Sequence, residues 1–277
     1  MVCVTTAPPR SALLVAWGRA WLAGEAALPE LAGRAHARDA AAGVVGLERA
    51  LVLESAAGLP PAEPRPAQDE PLDRAMGRLR ASGVERLRLV LPVPGDALGL
   101  PGPGGFSAAA LACGEGVLAL RSDGSGVGLV PAVTTHGSEA DGIVTTVRWT
   151  AHPVQASPVD PGPFLPDAEH DLRAGVLDCL SVLTALDVAR WRPDVAQALD
   201  DLRRQTRQGI GGDELPRAYP ARARELLVRA RSLSAVVALA SGDAGGAVDT
   251  RESVAREQAL RELGRHVRRA QLAAYNA

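Results

Sequence analysis

"GVLALRSDGSGVGLVPAVTT", residues 116–135, decides the fold. Two runs rich in Val and Leu flank Asp123-Gly124, a dipeptide that takes the left-handed conformations of a tight hairpin turn. An antiparallel hairpin is therefore expected here. Upstream, "ERLRLVLPV" (85–93) alternates Leu87, Leu89, Leu91 and Val93 against Arg86, Arg88 and Val90, with the period of two of a strand. Downstream, "GIVTTVRWTAH" (142–152) sets Ile143, Val147 and Trp149 against Arg148, Thr150 and His152. Together they predict an α+β protein with a small, mostly antiparallel sheet of about four strands.

Helices flank this sheet on both sides. In "SALLVAWGRAWLAG" (11–24), Leu13, Leu14, Trp17 and Trp21 recur at helical steps, and "LPELAGRAHARDAAAG" (28–43) restarts a helix with Pro29 in its first turn. Residues 44–54 read equally as helix or strand. "PLDRAMGRLRASG" (71–83) is a helix stopped by Gly83, and "FSAAALACG" (106–114) a short helix or turn. From 167 onward about four amphipathic helices follow, over 167–187, 193–205, 221–240 and 252–274. The first carries the stripe Leu172, Val176, Leu180, Leu183, and the second Val195, Leu199, Leu202. Such a run fits an antiparallel bundle or a helical layer on the sheet. Proline-rich stretches at 59–71 and 153–166, each with five prolines, divide the chain into 1–58, 72–152 and 167–277.

Composition excludes several chemistries. The 277 residues are 47% hydrophobic and 22% charged, ordinary for a folded protein, and the net charge of −2 sets up no field for nucleic acid or an anionic membrane. All 30 basic residues are arginine. Without lysine there is no Walker-type P-loop and no Schiff-base or PLP chemistry, since arginine stays protonated. Cys3, Cys113 and Cys179 are few and scattered, which implies a reducing cytoplasm and no zinc site. No apolar run approaches the roughly 18 residues of a membrane span. The expectation is a cytoplasmic protein with no cofactor and no metal.

Two features invite a functional reading. "LPVPGDALGLPGPGGF" (91–106) leaves the end of a strand with five glycines and four prolines. The prolines have no N–H to offer, so it is no phosphate cradle, but Asp96, Gly99, Gly104 and Gly105 are candidates to line a pocket rim. Strand parity sets Arg88, Arg121, Arg148 and His152 opposite the leucines, where guanidinium groups suit an anionic ligand; the competing reading is a solvated or helix-covered face. Three other matches read as structural. "PDAEHD" (166–171) is a helix start, its acids facing different ways. "GIGGDEL" (209–215) holds the letters of a cyclase signature in the wrong setting. The arginines of 251–269 alternate with Glu252, Glu257 and Glu262, as for intrahelical pairing. Of the cysteines, Cys113 beside the loop is the better candidate thiol and Cys179 a core residue.

With its "GLVP" (128–131) and "AYNA" (274–277), the loop resembles uncharacterised proteins of high-GC actinobacteria; the resemblance implies a lineage and no activity. The function expected is that of a non-catalytic cytosolic protein binding a partner protein or a small anionic ligand. The alternative is an enzyme acting on an anionic metabolite at the 94–105 loop, and a weaker one is association with nucleic acid.

Overall fold

The anticipated hairpin forms the centre of the computed structural model, which describes residues 8–37, 39, 41–48, 50–51, 70–97, 99–137, 143–157, 162–185, 215–242 and 250–277. Six strands, β1 (Ala41–Val45), β2 (Glu70–Pro71), β3 (Arg86–Val90), β4 (Gly116–Leu120), β5 (Ser125–His136) and β6 (Val144–Gln155), form one sheet in the order β2-β1-β6-β5-β4-β3. Strands β3 to β6 pair antiparallel in sequence order, as expected, while β1 adds in parallel to β6 and β2 antiparallel to β1. The expectation of four strands is thus corrected to a mixed sheet of six.

The reason lies in "AAGVV": three of its five residues are Ala or Gly, and it continues a helical-looking segment. Helix α2 (Leu28–Ala35) stops at His36 instead. The ambiguous stretch 44–54 splits, with Val44 and Val45 in β1 and Leu47, Glu48 and Leu51 helical; 52–54 lie outside the described residues. Pro131 and Pro153 sit inside strands despite their missing N–H. Pro131 lies where β4 has ended and Pro153 where β1 has ended, so one side of each strand is open.

The two faces of the sheet have separate cores. Leu87, Leu89, Val117, Ala119, Val127, Leu129, Val147 and Trp149 face α1 (Arg10–Leu22), α2 and α3 (Leu72–Ala81). Helix α1 is buried on nearly every side rather than along one stripe. At Gly18 a Cβ would lie 2.2 Å from Leu87 Cδ1, so this glycine lets α1 press onto β3. Guanidinium groups cover the outer tryptophans, Arg34 over Trp17 and Arg80 over Trp21. On the other face α4 (Gly105–Cys113) lays Phe106 against Val90, Leu118, Leu120, Val130 and Val154. A Cβ at Gly128 would come within 2.2 Å of that ring, so the phenyl group needs a glycine beneath it.

Helices α5 (Leu165–Ala185), α6 (Ala221–Gly242) and α7 (Thr250–Tyr275) follow, with α7 packed against both others. The helix expected over 193–205 and the match at 209–215, except Leu215, lie outside the described residues. On α5 the buried line runs Ala168, Leu172, Gly175, Cys179; Leu180, expected in it, is exposed. Among the described residues no helix is long and apolar enough to cross a membrane.

The end of α7 closes the sheet at β3, the outermost strand. Leu89 N–H donates to Asn276 Oδ1 at 2.8 Å, and Asn276 Nδ2 donates back to Leu89 O at 3.2 Å. The side-chain amide thus does what a neighbouring strand would do. Arg19 reaches both Leu87 O and Ala277 O, and Tyr219 Oη donates to Ala274 O at 2.7 Å.

Candidate functional site

The proline- and glycine-rich loop at 91–106 begins with a stiff turn. Val93 and Asp96 exchange both backbone hydrogen bonds, 3.1 and 2.9 Å, around Pro94-Gly95, with Gly95 at φ +81°. Asp96 accepts from Arg268 Nη2 of α7 at 2.8 Å. Gly99 turns the chain back with φ +89°, and a Cβ there would lie 3.2 Å from Val90 Cγ1. Gly104 caps α4, and Ser107 Oγ donates to Gly102 O at 2.5 Å. The loop packs on its own strand and is pinned by α7.

The sequence-derived arginine face separates into three places. Arg88, Leu118, Gly128 and His152 stand in one row across four strands, so the parity is as read. Arg88, however, is only 5% exposed and lies on the face that α4 covers, not on a wet one. Replacing it would therefore test packing before any ligand. Arg121 lies past the end of β4, where Nε donates to Ser82 O at 2.6 Å and Nη1 to Ser125 Oγ at 3.0 Å, tying the hairpin turn to the end of α3. That is the opposite end of β3 from the loop. Arg148 is exposed on β6, about 13 Å along the strand from His152. Among the eight candidates Gly105 meets His152: a Cβ on Gly105 would lie 3.4 Å from His152 Nδ1, and burial pushes the imidazole pKa down, favouring its neutral form.

Other candidates resolve into structural roles. Cys113 lies at the surface with Sγ donating to Pro131 O at 3.3 Å; burial of the sulfur and the Glu115 charge push its pKa up, away from a reactive thiolate. Glu169 is held by Arg173, Arg222 and Arg229, which lower its pKa. Arg261 pairs with Glu257 and Arg265 with Glu262, as the alternation predicts, while Arg256 turns inward to Ala240 O.

Sequence reasoning missed the most organised polar group, which runs from α1 to the middle of β6. Arg10 Nη2 donates to Asp39 Oδ1 at 2.8 Å, His36 Nδ1 lies 3.0 Å from Asp39 Oδ2, and Trp149 Nε1 lies 3.3 Å from His36 Nε2. An indole N–H can only donate, so His36 Nε2 accepts and its proton sits on Nδ1, directed at Asp39. Burial pushes the His36 pKa below its ordinary value; burial raises that of Asp39, but the Arg10 and His36 hydrogen bonds outweigh it and hold the carboxyl low. This Asp–His pair resembles a base and its orienting carboxylate, yet the nitrogen a base would use already holds the Trp149 proton. The only local signal was the spacing of His36 and Asp39 after a helix.

A pH dependence follows. His36 is neutral when folded, while the unfolded chain takes up a proton near the ordinary value of 6.5. Stability is expected to fall as pH drops below about 6.5, and to fall further once Asp39 is protonated. Urea midpoints between pH 7 and 5 check this; an equal slope in His36→Gln would assign the dependence elsewhere.

Among the described residues no three His, Cys, Asp or Glu side chains converge as a metal would need. With this geometry in view, the chain belongs to the Rv1486c-like family, whose N-terminal domain matches residues 11–163 and C-terminal domain residues 166–272. The seam between them falls at the end of the proline-rich stretch 153–166. The uncharacterized protein Rv1486c of Mycobacterium tuberculosis is 29% identical over 288 residues, 96% of each chain. The uncharacterized protein ML1804 of Mycobacterium leprae is 29% identical over 296 residues, again 96% of each, and MAV321 of Mycobacterium avium 30% over 249, covering 84% of this chain and 79% of its own. These are relatives from high-GC actinobacteria, the lineage that the loop and "AYNA" suggested. No solved structure matches the chain.

Proposed function

We propose that the protein works by binding rather than by catalysis, taking up a small anionic ligand or a partner protein on the part of the sheet that α4 leaves open. One observation carries this reading. Helix α4 packs on β5 and β6 around Gly128 and His152, whereas Ala132, Thr134, Arg148 and Thr150, further along the same two strands, are exposed. Hydroxyl and small side chains around one guanidinium suit a carboxylate or phosphate, or an extended acidic segment. The closed His36 lone pair and the raised Cys113 pKa favour a binding role over the enzyme alternative. A thermal-shift screen with anionic metabolites tests it on wild type and Arg148→Ala. A stabilisation seen in wild type and lost in the variant is expected. An identical shift in both would remove Arg148 from the reading, and no shift with any anion would remove its small-ligand form.

A further inference from the structure

We propose that His266 and Arg269 bind a phosphate-type oxyanion in the seam between α5 and α7. Both side chains are half-buried, and the atoms His266 Nδ1 and Arg269 Nε are shut off from solvent with no hydrogen-bond partner among the described residues. Buried polar atoms are almost always satisfied, so two such nitrogens on successive turns of one helix call for a shared partner. Two acids of neighbouring segments are already engaged, Glu262 by Arg265 and Asp96 by Arg268. Among the described residues Arg269 forms no ion pair, and a permanent guanidinium charge cannot be shed by deprotonation.

The geometry brings the two groups together. Residues three apart on a helix have Cβ atoms about 5–6 Å from each other, and helical side chains lean toward the N-terminus, so the stem of Arg269 extends over the turn that carries His266. On α5, Gly175 lies so close to the imidazole that a Cβ would sit 2.6 Å from His266 Cδ2 and 3.3 Å from Nε2. The glycine backs the Cγ–Cδ2 side of the ring, with Cγ 2.9 Å from that Cβ, and Nδ1 is not among the three ring atoms nearest to it. A tetrahedral oxyanion accepts hydrogen bonds from both nitrogens and supplies the missing negative charge, which a water molecule does not. This site lies in the C-terminal helices and is separate from the Arg148 surface.

The test is titration of the full chain with inorganic phosphate and with phenyl phosphate at matched ionic strength, on wild type, His266→Gln, Arg269→Gln and Arg148→Ala. Wild type and Arg148→Ala should bind equally, and each seam variant should weaken the apparent Kd about tenfold or more. Without phosphate, Arg269→Gln should melt no lower than wild type, because it removes a charge that nothing compensates; a residue that only props up the seam would melt lower. Preference for phenyl phosphate would mark a phosphoester as the ligand class, and preference for the inorganic ion a free phosphate. Absence of binding to wild type, or binding unchanged in both seam variants, overturns the proposal.

Discussion

Replacing Trp149 by alanine is expected to remove about 3–5 kcal/mol of folding stability, the usual cost of deleting a large buried aromatic. Trp149 is 0% exposed and among the largest fully buried side chains. It sits mid-strand in β6, between the β1 and β5 pairings, and joins the core that α1, α2 and α3 cover. Beyond the cavity, the variant strips His36 Nε2 of its donor, and a buried acceptor left without a partner adds to the loss. Trp149→Phe separates the two effects, since it keeps most of the volume and removes only the N–H. Equilibrium urea denaturation at pH 7 reads both variants. A loss under about 1 kcal/mol for alanine would mean that the sheet closes over the gap.

Replacing Arg10 by methionine is expected to cost about 3 kcal/mol, the lower end for removing one partner of a buried ion pair. The Asp39 side chain is 2% exposed, and Arg10, at 25%, shields it from water. Methionine keeps the stem packed and takes away the charge, leaving a buried carboxylate whose remaining side-chain donor among the described residues is the His36 N–H. The double variant Arg10→Met/Asp39→Asn should be more stable than Arg10→Met alone, because the stranded charge is gone. Strict additivity of the two single effects would show that the residues are not coupled.

Strand parity was legible in the sequence, and cover was not. The alternation in 85–93 correctly separates Leu87 and Leu89 from Arg88, and it places Arg88 in one row with His152. Period two states which face a side chain takes, but not whether a helix lies over that face. Here α4, itself a weakly patterned "GFSAAALAC", packs on that face at β5 and β6, and Arg88 in the same row of residues is buried. The strand β1 escaped because Ala and Gly give it no β-branched signature and its partner is 105 positions away, Ala41 against Thr146. The His36 network stayed hidden for a similar reason. Arg10 meets Asp39 across 29 residues and Trp149 meets His36 across 113, and no local pattern encodes such encounters. The stiffness of the loop at 91–106 is legible in its prolines and glycines, whereas its anchor, Arg268, lies 172 residues beyond Asp96.

The Asn276 amide on Leu89 also sets an order of events during synthesis. Its partner emerges 187 residues after the strand it closes, roughly 10 to 40 s later at ordinary rates of translation. Throughout that interval β3 can already pair with β4 on one side and Arg19 can reach Leu87 O on the other, while the N–H and C=O of Leu89 wait for their partner, a template for a nascent neighbour. The chain thus makes this strand edge early and closes it at Leu89 only after a further 187 residues have been added.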